Sequence, residues 1–251
     1  MSGHSKWATI KRKKGAADAK RGQVFTRLTR EIVMSAREGG SDPDSNFRLR
    51  LAIDKARAQS MPKDNIDRAI KRATGEGKEG EVYEEVMYEG YAPNGIAVII
   101  ECVTENRNRT VAEVRHLLTR SGGNMGELGS VAWQFKRAAT FSFPAAKNDF
   151  EKIFELAVEG GADDVTQDDE EINVVAPVEA FKTLSDRFRA ANILPEEAGL
   201  SMIPNTEMEL GVEDTLQVVR AIEALEELDD VQNVYSNLKI SDAAMAALES
   251  E

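Results

Sequence analysis

Residues 140–204 read TFSFPAAKNDFEKIFELAVEGGADDVTQDDEEINVVAPVEAFKTLSDRFRAANILPEEAGLSMIP and carry the clearest fold signal in the chain. Their apolar residues alternate between the two-residue period of strands and the 3.6-residue period of helices. The pattern predicts a strand at 140–143, a helix at 149–158, a hairpin at 163–176, a helix at 178–190 and a strand at 200–204. This βαββαβ order is the signature of a ferredoxin-like domain.

Strand patterns also flank this stretch on both sides. Two strands are predicted at 83–91 and 96–104, joined by a hairpin-type turn at 92–95. A capping box of Thr110 and Glu113 predicts the start of a helix, and a further strand is predicted at 130–135 after a glycine-rich loop. A helix at 215–228 and a strand at 231–237 follow, and this last strand could complete the sheet begun at Tyr83.

These patterns predict an α+β protein in which one domain is inserted into another. The predicted domains are a discontinuous α+β domain (81–136 and 206–241), a ferredoxin-like insertion (137–205) and a tail (242–251). A helical bundle is predicted at 22–80, with Asp42 and Pro43 opening its second helix and Pro62 its third. Residues 1–21 lack helical periodicity and are predicted to form a flexible basic arm. The motif GEGKEG at 75–80 follows a helix rather than a strand, so it is interpreted as a linker and not as a dinucleotide site.

The charge of the chain changes sign near that linker. Residues 1–78 carry 19 Lys and Arg against 9 Asp and Glu, a net charge of +10, whereas 79–251 carry 13 against 35, or −22. Concentrated cations in an acidic protein indicate a localised surface for a polyanion, and nucleic acid is the predicted partner. Trp7 offers a ring for base stacking. The candidate contacts are His4, Lys6, Trp7, Lys11, Arg12, Lys13, Lys14, Lys20, Arg21, Arg27, Arg30, Lys63, Arg107 and Arg109.

The segment 106–110 leaves two interpretations open. It places two guanidinium groups and two amides before a helix N-terminus, which suits phosphate binding. Asn and Arg in loops also commonly fasten the loop to neighbouring backbone. The sequence does not show whether 106–110 contacts a ligand or stabilises the loop itself.

Enzymatic activity has little support in the sequence. His4 and His116 lie in different segments, and Cys102 lies in a predicted strand, where a buried inert thiol is expected. The acidic run 168–171 lacks the spacing of a calcium loop, and no zinc spacing occurs. We therefore expect no enzyme, no metal or other cofactor and no small-molecule substrate. One cysteine and the absence of a long apolar run predict a cytoplasmic protein without a membrane segment.

Several motifs, in order, closely resemble the YebC/PmpR family over the whole chain. They are MSGHSKW at 1–7, DAKR at 18–21, MPKDNI at 61–66, YEGY at 88–91, NRNRT at 106–110 and GSV at 129–131. The resemblance implies a cytoplasmic protein of three domains without enzymatic activity, assigned as a DNA-binding transcriptional regulator. The family also includes a mitochondrial translational activator and bacterial factors that act on the ribosome. Thr9 replaces the usual Asn of the arm.

Two nucleic-acid functions thus remain open, DNA-binding transcriptional regulation and binding to the ribosome or ribosomal RNA as a translation factor. The family assignment favours DNA. A flexible basic arm, with no evident recognition helix or dimer helix, is instead more typical of proteins that contact folded RNA. A protein-interaction scaffold is the third hypothesis, and under it the arm would be dispensable.

Overall fold

The computed structural model describes residues 18–73, 83–168 and 170–249, without the side chains of 18–21 and 249. The described residues form two compact units. One comprises Phe135–Ile203, and the other comprises the described residues up to Gln134 together with those from Pro204 onward. Most of the predicted arm and all of the predicted linker lie outside the described residues.

Three helices form the first part of the larger unit: α1 (Asp18–Gly39), α2 (Phe47–Ala58) and α3 (Lys63–Ala73). Their apolar stripes pack against one another, with Ile32, Val33 and Leu49 fully buried at the centre. Ile66 and Ala69 of α3 are buried in the same core.

Two predictions for these helices are wrong. Helix α1 begins at Asp18, inside the predicted arm, because Ala19, Lys20 and Arg21 are good helix formers, which the apolar pattern that starts at Val24 does not reveal. The N-cap of α2 is Asn46, whose Oδ1 accepts a hydrogen bond from the backbone N–H of Leu49 at 3.1 Å. Asp42 instead stabilises the preceding turn, where its Oδ1 accepts from the N–H of Asp44 at 3.0 Å.

The other part of this unit is built on a four-stranded sheet. It contains β1 (Glu84–Tyr91), β2 (Ala97–Thr104), β3 (Asn124–Met125) and β9 (Val231–Ser236) in the order β3-β1-β2-β9. The prediction that the C-terminal strand completes this sheet is confirmed, since β9 runs antiparallel to β2 with Val98 opposite Ser236.

Three helices and a small parallel sheet accompany the four strands. Helices α4 (Arg107–Arg120) and α7 (Val212–Glu226) supply Val114, Leu118 and Ile222 to the apolar core of the sheet. Strands β8 (Met208–Glu209) and β10 (Leu238–Lys239) form the small sheet. The predicted tail is wrong for 242–249, which form α8 (Asp242–Glu249) with Ala244 and Leu248 buried in the same core.

Two further elements differ from their predictions. Helix α4 begins before the proposed capping box, with Asn106 as its N-cap, and Thr110 lies buried inside the helix. The predicted strand at 130–135 is a short 3₁₀ turn, Ala132–Gln134, and the next strand begins only at Phe135.

The smaller unit contains β4 (Phe135–Pro144), α5 (Phe150–Glu159), β5 (Asp164–Gln167), β6 (Glu171–Ala176), α6 (Phe181–Ala190) and β7 (Glu197–Pro204). Its strand order, β5-β6-β4-β7, is that of a ferredoxin-like sheet. Phe141 and Phe143 on β4 pack against Phe188 of α6, with ring centroids 5.4 and 4.8 Å away. The predicted α+β fold class is confirmed. None of the helices among the described residues is long and apolar enough to span a membrane.

Candidate nucleic-acid interface

The densest part of the predicted interface cannot be compared with the structure. Its seven N-terminal members lie outside the described residues: His4, Lys6, Trp7, Lys11, Arg12, Lys13 and Lys14. Lys20 and Arg21 lie in the first turns of α1, and their side chains are not described. The described part of the prediction therefore consists of Arg27, Arg30, Lys63, Arg107 and Arg109.

Lys63 and Arg107 are exposed, each at the first position of a helix, and Arg27 is half-buried on α1. Within the described ranges neither Lys63 nor Arg107 has a carboxylate partner. The backbone of Arg107 is fixed, because its carbonyl accepts a hydrogen bond from the Tyr88 hydroxyl at 3.3 Å. The two side chains can therefore reach a phosphate without first breaking an ion pair.

Arg30 is a correction to the predicted contact set. Its side chain is only 9% exposed, and its Nη2 lies 3.1 Å from Oδ1 of Asp230. Its Nη1 donates to the backbone carbonyl of Asp229, and its guanidinium lies 5.6 Å from the centroid of the Tyr83 ring. A guanidinium with these partners fastens α1 to the loop before β9 and is not available to a ligand.

Asp230 is the centre of a buried polar cluster. Its Oδ2 accepts hydrogen bonds from Arg109 Nη2 at 2.7 Å, from the Thr110 hydroxyl at 2.7 Å and from the Thr104 hydroxyl at 3.0 Å. Burial alone would raise the pKa of this carboxyl. The donors from Arg109, Thr110 and Thr104, with the charge of Arg30, outweigh burial and hold the pKa of Asp230 below its usual value.

This cluster gives a structural role to most of the 106–110 segment. Asn106 caps α4 by accepting from the N–H of Arg109 at 3.1 Å, and Arg109 and Thr110 bind Asp230. The Arg109 side chain is 48% exposed, but its guanidinium is already paired with Asp230. Arg107 is the arginine of this segment that stays open to a ligand.

Other cations of the helical region stabilise the fold locally. Arg48 bridges Glu38 and Glu85, Lys55 pairs with Glu31 at 2.9 Å, and Arg50 donates to two carbonyls of the turn before α2. Residues 18–73 still carry 13 Lys and Arg against 8 Asp and Glu, a net charge of +5. The surplus remains as positive potential on this part of the chain.

A second feature, which the sequence did not predict, is an exposed loop anchored by a buried carboxylate. Glu89 on β1 is 2% exposed. One of its oxygens accepts from the N–H of Gly129 at 2.7 Å, and the other accepts from Val131 at 2.6 Å and Ala132 at 2.7 Å. Burial alone would raise the pKa of Glu89, but these three backbone donors lower it. Gly129 has φ +86°, which favours glycine at this bend.

The anchored loop presents two large apolar side chains to solvent. Leu128 is 82% exposed and Trp133 is 72% exposed. Sequence patterning placed Trp133 in a strand, where one face would be buried. The sequence feature that could have indicated a loop here is the glycine-rich run before Trp133, because glycine weakens a strand.

The side chains considered as candidates for catalysis or metal binding include Cys102 and those of the acidic run 168–171. The predicted burial of Cys102 is confirmed at 2% exposure, and burial, with Asp230 and Glu101 nearby, raises the pKa of its thiol to about 12. Asp168 stabilises the tip of the β5–β6 hairpin, where its Oδ1 accepts from the N–H groups of Glu170 and Glu171 at 2.8 Å each. Across the described residues, no group of three His, Cys, Asp or Glu side chains could hold a metal ion.

Comparison with known proteins gives matches along almost the whole chain. The family model for the "TACO1/YebC protein N-terminal domain" matches residues 5–76, and the model for the "TACO1/YebC second and third domain" matches 83–238. A solved structure of a conserved hypothetical protein from Aquifex aeolicus is 41% identical, with a TM-score of 0.83, and the match covers 90% of this chain and 93% of that one.

Curated relatives match over their full length. Proteins from Chlorobaculum parvum and Acidithiobacillus ferrooxidans are 52% and 53% identical, with 100% of this chain and at least 99% of each relative covered. Both are named "Probable transcriptional regulatory protein". The two family models and these identities establish that the chain belongs to the TACO1/YebC family.

Proposed function

We propose that this protein is a nucleic-acid-binding regulator of gene expression that acts in the cytoplasm without catalysing a reaction, and that DNA is its target. The observation that carries the proposal is the segregation of charge. Residues 1–78 have a net charge of +10, and the rest of the chain has −22. The names of the curated relatives support a regulatory role.

The two charge regions have complementary roles in this proposal. Cations of residues 1–21, with Lys63 and Arg107, neutralise phosphates and release counterions, which supplies affinity. The acidic remainder repels phosphates elsewhere on the surface, which orients the protein and disfavours indiscriminate coating of nucleic acid. Neither role needs a cofactor or a small-molecule substrate.

A translation factor bound to ribosomal RNA is the second candidate, and helix α3 is the observation that favours it. This helix exposes Asp64 and Asp67 in its first two turns beside Lys63, and it exposes Arg68, Lys71 and Arg72 toward its end. The N-terminal residues of a recognition helix contact base edges between the phosphates of a groove, and the two carboxylates at this end of α3 are repelled by those phosphates, which makes α3 a poor recognition helix. Contacts made by a basic arm with folded RNA do not require such a helix.

The test compares binding of the whole protein to duplex DNA, to structured RNA and to purified ribosomes at several salt concentrations. Deletion of 1–21 should abolish binding to the true target. Replacement of Arg12, Lys13 and Lys14 by alanine should lower the slope of log affinity against log salt by roughly 2 to 3 units. The matched control replaces three exposed lysines of the smaller unit, Lys147, Lys152 and Lys182, and should leave the slope unchanged.

The outcomes separate the candidates. Tight binding to duplex DNA, with weak binding to ribosomes, supports the transcriptional role. Arm-dependent co-sedimentation with ribosomes that survives DNase supports the translational role. Full function without residues 1–21 would contradict both and favour a protein-interaction scaffold.

A further inference from the structure

The exposed indole of Trp133 is held in one place by the structure around it. Its Nε1 donates a hydrogen bond to the Ser130 carbonyl at 3.0 Å, and its own carbonyl accepts from Asn205 Nδ2 at 3.0 Å. The preceding turn is anchored by three backbone hydrogen bonds to the buried Glu89 carboxylate. An aromatic ring in this setting loses little conformational entropy when a ligand covers it.

The chemistry that Trp133 offers is that of a flat aromatic face. Because the indole N–H is already bonded within the loop, the 72% of the side chain that is exposed presents mainly ring carbon. The neighbouring Leu128 is 82% exposed and adds apolar surface to the same loop. A planar ligand can therefore stack on the ring without competing for a hydrogen bond.

The charge around this loop indicates which planar ligand would bind. In the larger unit, residues 83–134 and 204–249 carry 18 Asp and Glu against 6 Lys and Arg, although Lys136 and Arg137 follow Trp133 closely in the chain. An excess of acidic residues disfavours a ligand held only by its phosphates, whereas a nucleobase is uncharged and stacks on an aromatic face. Bases inside a duplex are already stacked on one another, so only an unpaired base can reach the ring.

We propose that Trp133 is a stacking platform for an unpaired nucleobase of single-stranded or looped nucleic acid. The proposal rests on the nucleic-acid-binding function above and adds a second contact to it. Phosphates bind the basic N-terminal region, and one exposed base stacks on Trp133. Stacking of this kind tolerates any base, so the platform selects for unpaired structure and not for sequence.

The test measures binding of the full-length protein to fluorescent RNA and DNA hairpins of the same sequence, each with an unpaired loop, and the variants are compared on the hairpin that the wild type binds. Replacement Trp133→Leu should weaken binding by about 5- to 100-fold, because base stacking is lost. Trp133→Phe should retain most of the affinity. The salt slope should stay at the wild-type value in both variants, since no phosphate contact is removed. Leu194→Ala is the matched control, because Leu194 is also 72% exposed but lies in the smaller unit.

A second measurement locates the base directly. The hairpin is prepared with 5-iodouridine in its loop and irradiated in complex with the protein, and the crosslinked peptide is identified by mass spectrometry. The expected crosslink is at Trp133. Hydrogen exchange at Gly129, Val131 and Ala132 should be equal in wild type and Trp133→Leu, which shows that the loop is intact.

The possible failures are distinguishable. If Trp133→Leu binds as tightly as wild type while deletion of 1–21 abolishes binding, the stacking platform is wrong and the nucleic-acid function stands. If the wild type binds neither RNA nor DNA, both proposals fail. A photocrosslinker placed at residue 133 that captures only protein from assembled ribosomes would also overturn the platform and assign the loop to a protein contact.

Discussion

The guanidinium of Arg30 lies 3.1 Å from the carboxylate of Asp230, although one residue lies on the first helix and the other precedes the last strand of the main sheet. Both side chains are buried, at 9% and 2% exposure. A charge pair removed from water is costly to break, because the remaining partner stays buried without a counterion. This pair makes the packing of α1 on the sheet sensitive to a single residue near the C-terminus.

We expect Asp230→Asn to lower the free energy of unfolding by roughly 3 to 5 kcal/mol, because it leaves Arg30 buried and unpaired. Urea denaturation followed by circular dichroism measures the change. The control is Glu209→Gln, which breaks a pair with Lys239 that is about half exposed, at 2.9 Å. That change should cost less than about 1 kcal/mol. Equal effects of the two substitutions would contradict a central role for Asp230.

The same carboxylate should make stability depend on acid pH. Its pKa in the folded protein is below its value in the unfolded chain. Its contribution is therefore complete above the unfolded pKa, about 3.9, and is lost as pH falls through the folded value. The difference in unfolding free energy between wild type and Asp230→Asn should be constant near neutral pH and shrink below about pH 4. A difference that grows in acid would contradict this sign.

Glu89→Gln tests the anchor of the Trp133 loop. The amide keeps one uncharged carbonyl oxygen and replaces the other oxygen by an NH2 donor, so at least one of the three backbone N–H groups loses its acceptor and the others bind a weaker one. Hydrogen exchange at Gly129, Val131 and Ala132 should become at least tenfold faster, with stability reduced by about 2 kcal/mol. Glu127→Gln, an exposed change in the same loop, should leave exchange unchanged. Unaltered protection in Glu89→Gln would show that the loop is held by other contacts.

The thiol of Cys102 should be inert in the folded protein. It is buried on β2, and burial raises its pKa to about 12, so the reactive thiolate is scarce at neutral pH. Labelling with a thiol reagent such as dithionitrobenzoate should be negligible in native buffer and stoichiometric in denaturant. Rapid native labelling that tracks activity would instead indicate a functional cysteine.

Lys63 and Arg107 provide a test of the described part of the interface. If each contacts one phosphate, replacing both with alanine should lower the salt slope by about 1.4 to 1.8 units. The matched control is the double alanine variant of Lys147 and Lys152, which removes two exposed cations of the smaller unit. An unchanged slope in the Lys63 and Arg107 variant would confine the phosphate contacts to the N-terminal arm.

The fold class was predictable because strands and helices each impose a period on buried residues. The order of elements from 135 to 204 follows that period closely. Starts of helices were less predictable, since more than one residue type can cap a helix. Asn46 and Asn106, not Asp42 or Thr110, cap α2 and α4.

The site was predictable only in its overall charge. Arg30 and Arg107 are the same residue type, yet one is buried against Asp230 and the other is exposed. The difference arises from a partner far along the chain, which no local pattern contains. Trp133 was missed for a related reason, because the turn before it is anchored by Glu89, a charged residue of β1 whose burial no local pattern indicates.

The insertion of the smaller unit imposes an order on folding during synthesis. Chains emerge from the N-terminus, and domains generally fold as units. Strand β2 cannot pair with β9, and Arg30 cannot meet Asp230, until residues 230–236 have been made. The unit Phe135–Ile203 is complete earlier. During synthesis the smaller unit should therefore fold before the larger one. The helices at the start of the chain gain their contact with Asp230 only when the last part of the protein has been made.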